Sequence, residues 1–323
     1  MPLQSPDFRR AADAVRLGFF AALKKHESKL VAIAIQTEDG AEQILGAYQD
    51  AVRLGVKIVI GPMTRGAVSA LAASALVTIP TLALNVPDGD SALPRSFYWF
   101  GLSAEAEARQ VAAMAWRDEQ KICFVVHPDT GLGRRGAQAF AESFRWLGGR
   151  VMQVFAFNPS DNAFPQIRDR LLDFESGCVF LAADADQARL VRPYLSNSLT
   201  VYATSLVNAP LARPRDNVDL NGIRFVDMPW LLQPDHPGVM IYPRLEPAGD
   251  GDVERFYALG IDAFRIASEL QGSPRVPQFD IDGVTGRIRL GRNNQILREP
   301  TAAIFRDGVA LPRDDTGPRQ AGK

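Results

Sequence analysis

The sequence predicts an α/β protein built from two doubly wound lobes, each with a parallel sheet. Apolar, β-branched runs alternate with amphipathic helical patterns along most of the chain, which is typical of parallel strands covered by helices on both faces. This alternation comes in two successive blocks. The length of 323 residues also exceeds that of a typical single domain. Two such blocks in a chain of this length therefore predict two lobes.

The first block begins with a helix whose apolar residues, such as Ala12, Val15 and Phe19, recur at helical spacing. Its most informative part is residues 57–64 (KIVIGPMT), which predict a buried strand, a tight turn at Gly61-Pro62 and the start of a helix. The predicted elements of this block are helix 7–25, strand 30–35, helix 41–54, strand 58–60, a helix after Thr64, strand 81–84 and strand 98–101.

The second block repeats this design. Strand 122–126 is followed by the turn 129–133 (DTGLG) and by a helix that Gly148-Gly149 ends. The other predicted elements of this block are helix 104–116, strand 151–157, helix 164–172, strand 178–182, helix 185–194 and strand 200–204.

The last third of the chain is less regular. After strand 222–228, a proline-rich stretch predicts a long irregular connection, followed by a strong helix at 253–270 and short antiparallel strands at 287–290, 296–298 and 301–306. These elements predict a first lobe of residues 1–102 plus 230–275 and a second lobe of residues 103–229 plus 276–312. The polar residues 313–323 are predicted to form a disordered tail.

The order of the first elements is unusual, because a helix precedes the first strand of a doubly wound lobe. We therefore expect a longer natural chain to carry a further apolar strand upstream of Met1, with any export signal beyond it. The first residues as printed have neither the basic region nor the apolar core of a signal peptide.

Composition argues against several classes of protein. The chain has 36 Lys and Arg against 37 Asp and Glu, a net charge of −1, so nothing in its charge favours nucleic acid or an anionic membrane. No apolar run is long enough to predict a membrane span. The three histidines are isolated from each other and from the cysteines, so no metal site and no cofactor are expected.

Cys123 and Cys178 each open an apolar run and are predicted to be buried at the start of a strand. Two small core residues are the favoured interpretation. A disulfide is the alternative, because the two strands could be neighbours in one sheet.

Thr64 marks the first candidate site. Free helix N–H groups at the carboxyl end of a parallel strand can hold a carboxylate, and the Thr64 hydroxyl can add a hydrogen bond. The alternative is that Thr64 only caps the helix. Asp129 and Thr130 occupy the equivalent place in the second block, either facing a ligand across a cleft or capping a helix.

Four further residues lie at predicted strand ends and are candidates for the same cleft: Asn85, Tyr202, Ser205 and Asp227. Asp227 could accept an ammonium group with Trp230 packed over it, or it could cap the turn while Trp230 fills the interface between the lobes. No nucleophile motif, dinucleotide fingerprint or phosphate loop occurs, so the sequence predicts a protein that is not an enzyme.

The chain resembles the type I periplasmic-binding-protein superfamily. The resemblance lies in residues 60–64 (IGPMT), 79–82 (IPTL), 129–133 (DTGLG) and 283–286 (GVTG). Within that superfamily it is most similar to the LppC-like lipoproteins, the penicillin-binding-protein activators, through residues 82–85, 100–110, 201–205 and 222–232 (GIRFVDMPWLL).

This resemblance implies two lobes joined by three hinge crossovers around a central cleft. It also implies a non-catalytic regulator of peptidoglycan synthesis, which activates a penicillin-binding protein by contact and is periplasmic, with outer-membrane anchoring in its full-length form. The alternative function is a solute-binding receptor of an ABC transporter, which would hold an amino acid or small peptide in the cleft.

Overall fold

The structure is a computed structural model that describes residues 1–28, 30–89, 93–158, 164–272 and 278–313. Its α-helices are α1 (Arg9–Lys25), α2 (Ala41–Arg53), α3 (Arg65–Ala73), α4 (Ala104–Arg117), α5 (Gly131–Trp146), α6 (Phe164–Leu171), α7 (Ala185–Val191), α8 (Pro229–Leu232), α9 (Pro237–Met240) and α10 (Gly251–Gly272). Its strands are β1 (Val59–Ile60), β2 (Thr81–Ala83), β3 (Phe97–Trp99), β4 (Ile122–Pro128), β5 (Arg150–Phe157), β6 (Cys178–Leu181), β7 (Thr200–Ala203), β8 (Arg224–Asp227), β9 (Asp280–Gly283), β10 (Gly286–Leu290), β11 (Ile296–Glu299), β12 (Thr301–Arg306) and β13 (Val309–Pro312).

The chain divides into two compact units. Unit 1 consists of Met1–Ser103 and Pro229–Glu299, and unit 2 of Ala104–Met228 and Pro300–Lys323. The residues 313–323, predicted to form a disordered tail, lie outside the described residues except for Arg313.

Unit 1 contains a parallel sheet in the order β1-β2-β3. Alternate residues of β1 belong to different apolar clusters, because successive strand residues point to opposite faces. Ile60 packs with α1 and α10 on one face, whereas Val59 packs with α2 and α3 on the other. The sheet is therefore covered by helices on both faces, as the apolar runs predict.

Helices α1 and α10 pack against each other with their backbones almost in contact. A Cβ atom added at Gly18 would lie 1.9 Å from the carbonyl oxygen of Tyr257, and one added at Gly260 would lie 2.0 Å from that of Val15. No side chain fits at either position, so the two glycines set the distance between the helices.

A second sheet of unit 1, in the order β11-β10-β9, is antiparallel. Its residues Ile281, Ile288 and Ile296 belong to the same core cluster as Leu259 of α10. The fully buried carboxylate of Asp262 accepts hydrogen bonds from the backbone N–H of Thr285 at 2.7 Å and of Val284 at 3.2 Å.

This packing corrects one predicted boundary. The sequence assigned residues 276–312 to the second lobe, but the structure groups the chain up to Glu299 with unit 1. The reason is the shared core with α10, which a reading of strands along the chain does not reveal.

Unit 2 contains, in its described part, a seven-stranded sheet in the order β13-β12-β8-β7-β6-β4-β5. The strands from β5 to β8 are parallel, and β12 and β13 continue the sheet in antiparallel pairs. The aromatic core is stacked, with the rings of Phe140 and Phe180 4.2 Å apart between centroids. Because β4, β6, β7 and β8 are parallel, their carboxyl ends lie at one edge of the sheet.

Cys123 and Cys178 lie opposite each other on the neighbouring strands β4 and β6, with their Cα atoms 4.5 Å apart, and they are joined by a disulfide. The favoured interpretation of two free core cysteines is therefore wrong. Both residues are fully buried, as predicted.

Two further predictions differ from the structure. Residues 30–35 follow the pattern of a strand but belong to no sheet, and the side chains of Val31 and Ile33 are 90% and 62% exposed. The connection predicted to be irregular contains the short helices α8 and α9. Residues 287–290, 296–298 and 301–306 form antiparallel strands, as predicted.

We predict that Gly260→Ala lowers the free energy of unfolding by about 1–3 kcal/mol, because the added methyl group forces two helix backbones apart. Gly46→Ala in α2 is the matched control, since nothing lies within 4 Å of its Cβ position. The control should be more stable by about 0.5–1 kcal/mol through helix propensity. Urea unfolding followed by far-UV circular dichroism measures both, and equal stability of the two variants would contradict the close packing.

Candidate functional site

The turn after β1 carries the first predicted site residue. Thr64 is the N-cap residue of α3, and its carbonyl oxygen accepts the hydrogen bond from the N–H of Val68 at 2.9 Å. Its side chain makes no capping hydrogen bond, so the predicted capping role of the hydroxyl is not observed. The next residue, Arg65, forms an ion pair with Asp88 at 3.0 Å.

Asn85 ties this turn to the end of β2. Its side-chain amide donates to the carbonyl oxygen of Met63 at 2.9 Å, and its side-chain oxygen accepts from the N–H of Val86 at 2.9 Å. The N–H of Leu84 also donates to the carbonyl oxygen of Pro62 at 2.8 Å. Unit 1 therefore brings the loops of Thr64 and Asn85 together, with Asn85 as the residue that holds them.

In unit 2, the predicted turn after β4 is the start of α5. The hydroxyl of Thr130 accepts a hydrogen bond from the N–H of Gly133 at 3.1 Å, so Thr130 caps the helix. The carboxylate of Asp129 forms an exposed ion pair with Arg134. Both side chains thus have partners at the start of the helix. This matches the alternative in which the residues cap a helix, and not the one in which they face a ligand.

The carboxyl end of β7 is joined to the first turn of α4. The buried carboxylate of Glu107 accepts a hydrogen bond from the N–H of Ser205 at 3.0 Å, and Ser205 itself is buried. Sequence reasoning missed Glu107. A signal for it exists, since Glu107 lies four residues before Val111 and eight before Ala115 on the buried face of the helix.

The carboxylate of Asp227, at the end of β8, is fully buried. It accepts hydrogen bonds from the side-chain amide of Asn208 at 2.9 Å and from the N–H of Met228 at 2.8 Å. Because β7 and β8 are neighbouring parallel strands, Ser205 and Asp227 lie at the same sheet edge. Asn208 was not predicted, since it follows a short 3₁₀ helix at Ser205–Val207 that has no periodic pattern.

Trp230, predicted to pack over Asp227 or to fill an interface, has other partners within unit 1. Its indole N–H donates to the carboxylate of Glu254 at 2.7 Å, and the guanidinium of Arg244 lies 3.9 Å from its ring centroid. Trp230 is fully buried by these contacts and by Tyr257.

Tyr202 lies in the middle of β7, and its side chain points away from the other candidates. Its hydroxyl donates to the carboxylate of Asp118, which follows the last turn of α4, at 2.7 Å. Glu107 lies eleven residues earlier, which corresponds to about 16 Å along a helix. Tyr202 therefore belongs to the opposite end of unit 2 from Ser205.

Asp118 is the centre of a charged cluster at that end. It accepts hydrogen bonds from Arg313 at 2.6 and 2.7 Å and from Arg224 at 2.7 Å, in addition to the one from Tyr202. Burial by itself raises the pKa of Asp118, but the hydrogen bonds from Arg313, Tyr202 and Arg224 outweigh it and lower the pKa to about 2. Burial and the bond to Asp118 raise the pKa of Tyr202.

Within the described ranges, no three His, Cys, Asp or Glu side chains are grouped so that they could hold a metal ion. No helix in that part of the chain is long and apolar enough to span a membrane.

The profile of the family described as "LppC putative lipoprotein" matches residues 1–176 and 168–308. The chain belongs to the LppC family.

Curated relatives of this LppC protein are named penicillin-binding protein activator LpoA. The one from Histophilus somni (strain 129Pt) is 26% identical over 322 residues, covering 98% of this chain and 54% of the relative. The one from Pasteurella multocida (strain Pm70) is 28% identical over 305 residues, covering 92% of this chain and 51% of the relative. The chain thus spans about half the length of these relatives.

Solved structures share the fold over nearly the whole chain. A structure from Chromobacterium violaceum, described as a "putative branched-chain amino acid ABC transporter", is 35% identical with a TM-score of 0.79, covering 93% of this chain and 96% of that one. The LpoA C-domain from Haemophilus influenzae, described as a regulator of PBP1A, is 22% identical with a TM-score of 0.79, covering 97% and 98%. The predicted type I periplasmic-binding-protein fold is confirmed.

We predict that Asp118→Asn lowers the free energy of unfolding by roughly 2–4 kcal/mol at neutral pH, because two arginines lose the partly buried carboxylate that they both contact. The control is Asp129→Asn, which removes an exposed ion pair and should change stability little.

The same variant has a defined pH signature. The pKa of Asp118 is about 2 in the folded protein against an ordinary value of 3.8. A carboxyl whose pKa is lowered by folding contributes stability above its unfolded pKa, and this contribution is lost as the pH falls through the folded value. Unfolding free energies measured between pH 5 and 2 should therefore fall less steeply in Asp118→Asn than in the unmodified protein. Parallel pH profiles would contradict the assignment.

Proposed function

We propose that this LppC protein is a non-catalytic regulator of peptidoglycan synthesis that stimulates a penicillin-binding protein by direct contact. One observation carries the proposal: the likeness to the LpoA activators extends along 98% of the chain. The neighbouring LpoA C-domain, described as a regulator of PBP1A, matches over 97% of this chain, so the matched region corresponds to that whole domain.

The geometry of the candidate residues supports a role without a tightly held solute. The side chains of Asn85, Asp129, Thr130, Tyr202 and Asp227 each have a hydrogen-bond or ion-pair partner within their own unit. A ligand that recruited these groups would compete with bonds already made. Since an intramolecular hydrogen bond contributes about 0.5–1.5 kcal/mol, such replacement leaves little net gain.

We also propose that the protein works in the periplasm and is anchored to the outer membrane in its full-length form. The family description as a lipoprotein supports this location. A regulator that contacts the synthase has to lie on the side of the membrane where the synthase works.

A second candidate function is that of a solute receptor for an ABC transporter, holding an amino acid or small peptide. The observation that favours it is the 35% identity to the Chromobacterium violaceum structure, of which 96% is covered. In that case we expect Thr64, whose side chain makes no capping hydrogen bond, to contribute to binding a carboxylate at the start of α3.

We predict that the purified chain binds a bifunctional penicillin-binding protein saturably and raises its rate of glycan-strand synthesis, measured with lipid-linked precursor. Thr64→Val and Asp129→Asn should leave both the affinity and the stimulation within about twofold, because the proposed contact does not depend on the candidate ligand-binding residues. Loss of binding confined to these two variants would count against a surface mechanism.

The receptor function makes the opposite prediction. At 100 times the dissociation constant, a bound amino acid would stabilise the folded protein by about 2.7 kcal/mol, and the melting temperature would rise. We expect no such rise in a thermal-shift series with the common amino acids and with peptidoglycan stem peptides. A rise that Thr64→Val abolishes, without any binding to the synthase, would overturn the regulator function in favour of the receptor.

A further inference from the structure

The segment from the last turn of α5 to the end of β5 has an unusual composition for a surface. Residues 143–157 (SFRWLGGRVMQVFAF) contain two arginines and no acidic residue, although the whole chain balances 36 basic against 37 acidic side chains. The side chain of Trp146 is 86% exposed, and those of Met152 and Val154 are 40% and 45% exposed. Such side chains point to an interaction site only where they lie together on one surface.

Trp146 is held on a rigid base at the end of α5. The N–H of Gly149 donates to the carbonyl oxygen of Phe144 at 2.8 Å, so the chain turns back directly after the helix. Gly148 has a φ of +100°, which favours glycine, and its Cβ position lies 3.2 Å from the ring of Trp116. That ring also packs edge-on against Phe144, with 6.4 Å between the centroids. These contacts fix the turn from which Trp146 projects into solvent.

Strand β5 begins four residues after Trp146 and is an edge strand of the unit 2 sheet. The N–H of Arg150 donates to the carbonyl oxygen of Lys121 at 2.8 Å, which fixes the start of the strand. Among the described strands β5 pairs only with β4, so its outer edge is open. Val154 lies beside Val125 of β4, which packs in one core cluster with residues of α5. Paired residues of neighbouring strands point to the same face, so Val154 and the helix that carries Trp146 lie on one side of the sheet.

The charged groups of this surface are two arginines without a counter-charge. Arg145 and Arg150 are exposed, and neither guanidinium has an ion-pair partner among the described residues. The acidic residue nearest to Arg145 along the chain, Glu142, accepts a hydrogen bond from Gln138 at 2.8 Å instead. Because a guanidinium binds a carboxylate through two parallel hydrogen bonds, both arginines can accept acidic groups from another molecule.

We propose that the α5–β5 surface, formed by Arg145, Trp146, Arg150, Met152 and Val154, is the docking site for an extended acidic segment of the synthase. This inference rests on the regulator function proposed above and names the part of the protein that makes the contact. The segment pairs with the open edge of β5, its carboxylates bind the two arginines, and one of its apolar side chains packs on Trp146. Trp and Arg are also the side chains that most often carry the binding energy of protein interfaces.

Charge and backbone pairing favour this occupant over the alternatives. In a symmetric dimer the same surface meets itself, so a second copy would bring together four arginines and no carboxylate from this segment. An anionic lipid surface would satisfy the arginines, but it has no backbone to pair with the open edge of β5. An extended acidic segment satisfies both the arginines and the edge.

The test measures the affinity of the purified chain for the bifunctional penicillin-binding protein by biolayer interferometry. Trp146→Ala, Val154→Glu and the double variant Arg145→Glu with Arg150→Glu should each raise the dissociation constant about tenfold or more, as loss of a central anchor does. The matched control is Val309→Glu on β13, the opposite edge of the same sheet, where the valine is 41% exposed. The control should bind within about twofold of the unmodified chain. All of these side chains are exposed, so the melting temperatures should stay close to that of the unmodified chain.

The outcomes separate this inference from the regulator function. Equal affinity of all the variants would overturn the docking surface and leave the regulator function standing, whereas no binding by the unmodified chain would overturn both. An equal loss in Val309→Glu and Val154→Glu would also contradict the docking surface. In the complex, amide hydrogen exchange of residues 150–157 should slow about fivefold or more, while residues 309–312 remain unchanged. Unchanged exchange along β5 would overturn the strand pairing.

Two further measurements identify the occupant. Sedimentation should show no dimer that Trp146→Ala dissociates, and vesicles of phosphatidylglycerol should not bind the chain through Trp146. If either occurs, the α5–β5 surface serves a second copy or a membrane, and the proposal is wrong.

Discussion

The close approach of α1 and α10 is the constraint on which unit 1 depends. Gly18 and Gly260 allow the two backbones to touch, and any side chain there would separate them. Helix α10 then supports the rest of the unit at other points along its length. Glu254 holds the indole of Trp230, and Asp262 holds the turn between β9 and β10. One helix therefore fixes both the start of the long connection and the turn between the strands that follow it.

Unit 2 is organised differently, around a stacked aromatic core and one charged cluster. Asp118 joins α4 to β7, β8 and the residue after β13 through Tyr202, Arg224 and Arg313. Partial burial of a carboxylate costs free energy unless its oxygens are hydrogen-bonded, and the Asp118 carboxylate accepts four hydrogen bonds. The cluster connects the parallel part of the sheet with its antiparallel end, so it specifies how residues 300–313 return to this unit.

Local signals predicted the fold class and most elements, because helical periodicity and buried β-branched runs act over short stretches. Thr130 as a helix cap is a prediction of this kind. Tyr202 could not be placed, since the direction of its side chain depends on where α4 ends in space. The affiliation of residues 280–299 depends on a shared core with Leu259 of α10, which also lies beyond sequence patterns.

Residues 30–35 show how a correct local signal can lead to a wrong element. Their apolar pattern is that of a strand buried on both faces, yet a strand exists only when its backbone has a partner. In the structure these residues belong to no sheet, so their apolar composition alone does not make them a strand.

The short strand β1 also bears on the candidate residues of unit 1. Strand β1 has only two residues paired to β2, and it leads directly into the turn that positions Thr64. The bond from the N–H of Gly61 to the carbonyl oxygen of Leu82 and the bond from Asn85 to Met63 are what hold that turn. Because β1 has only two paired residues, these two hydrogen bonds beyond it do most to fix the position of Thr64.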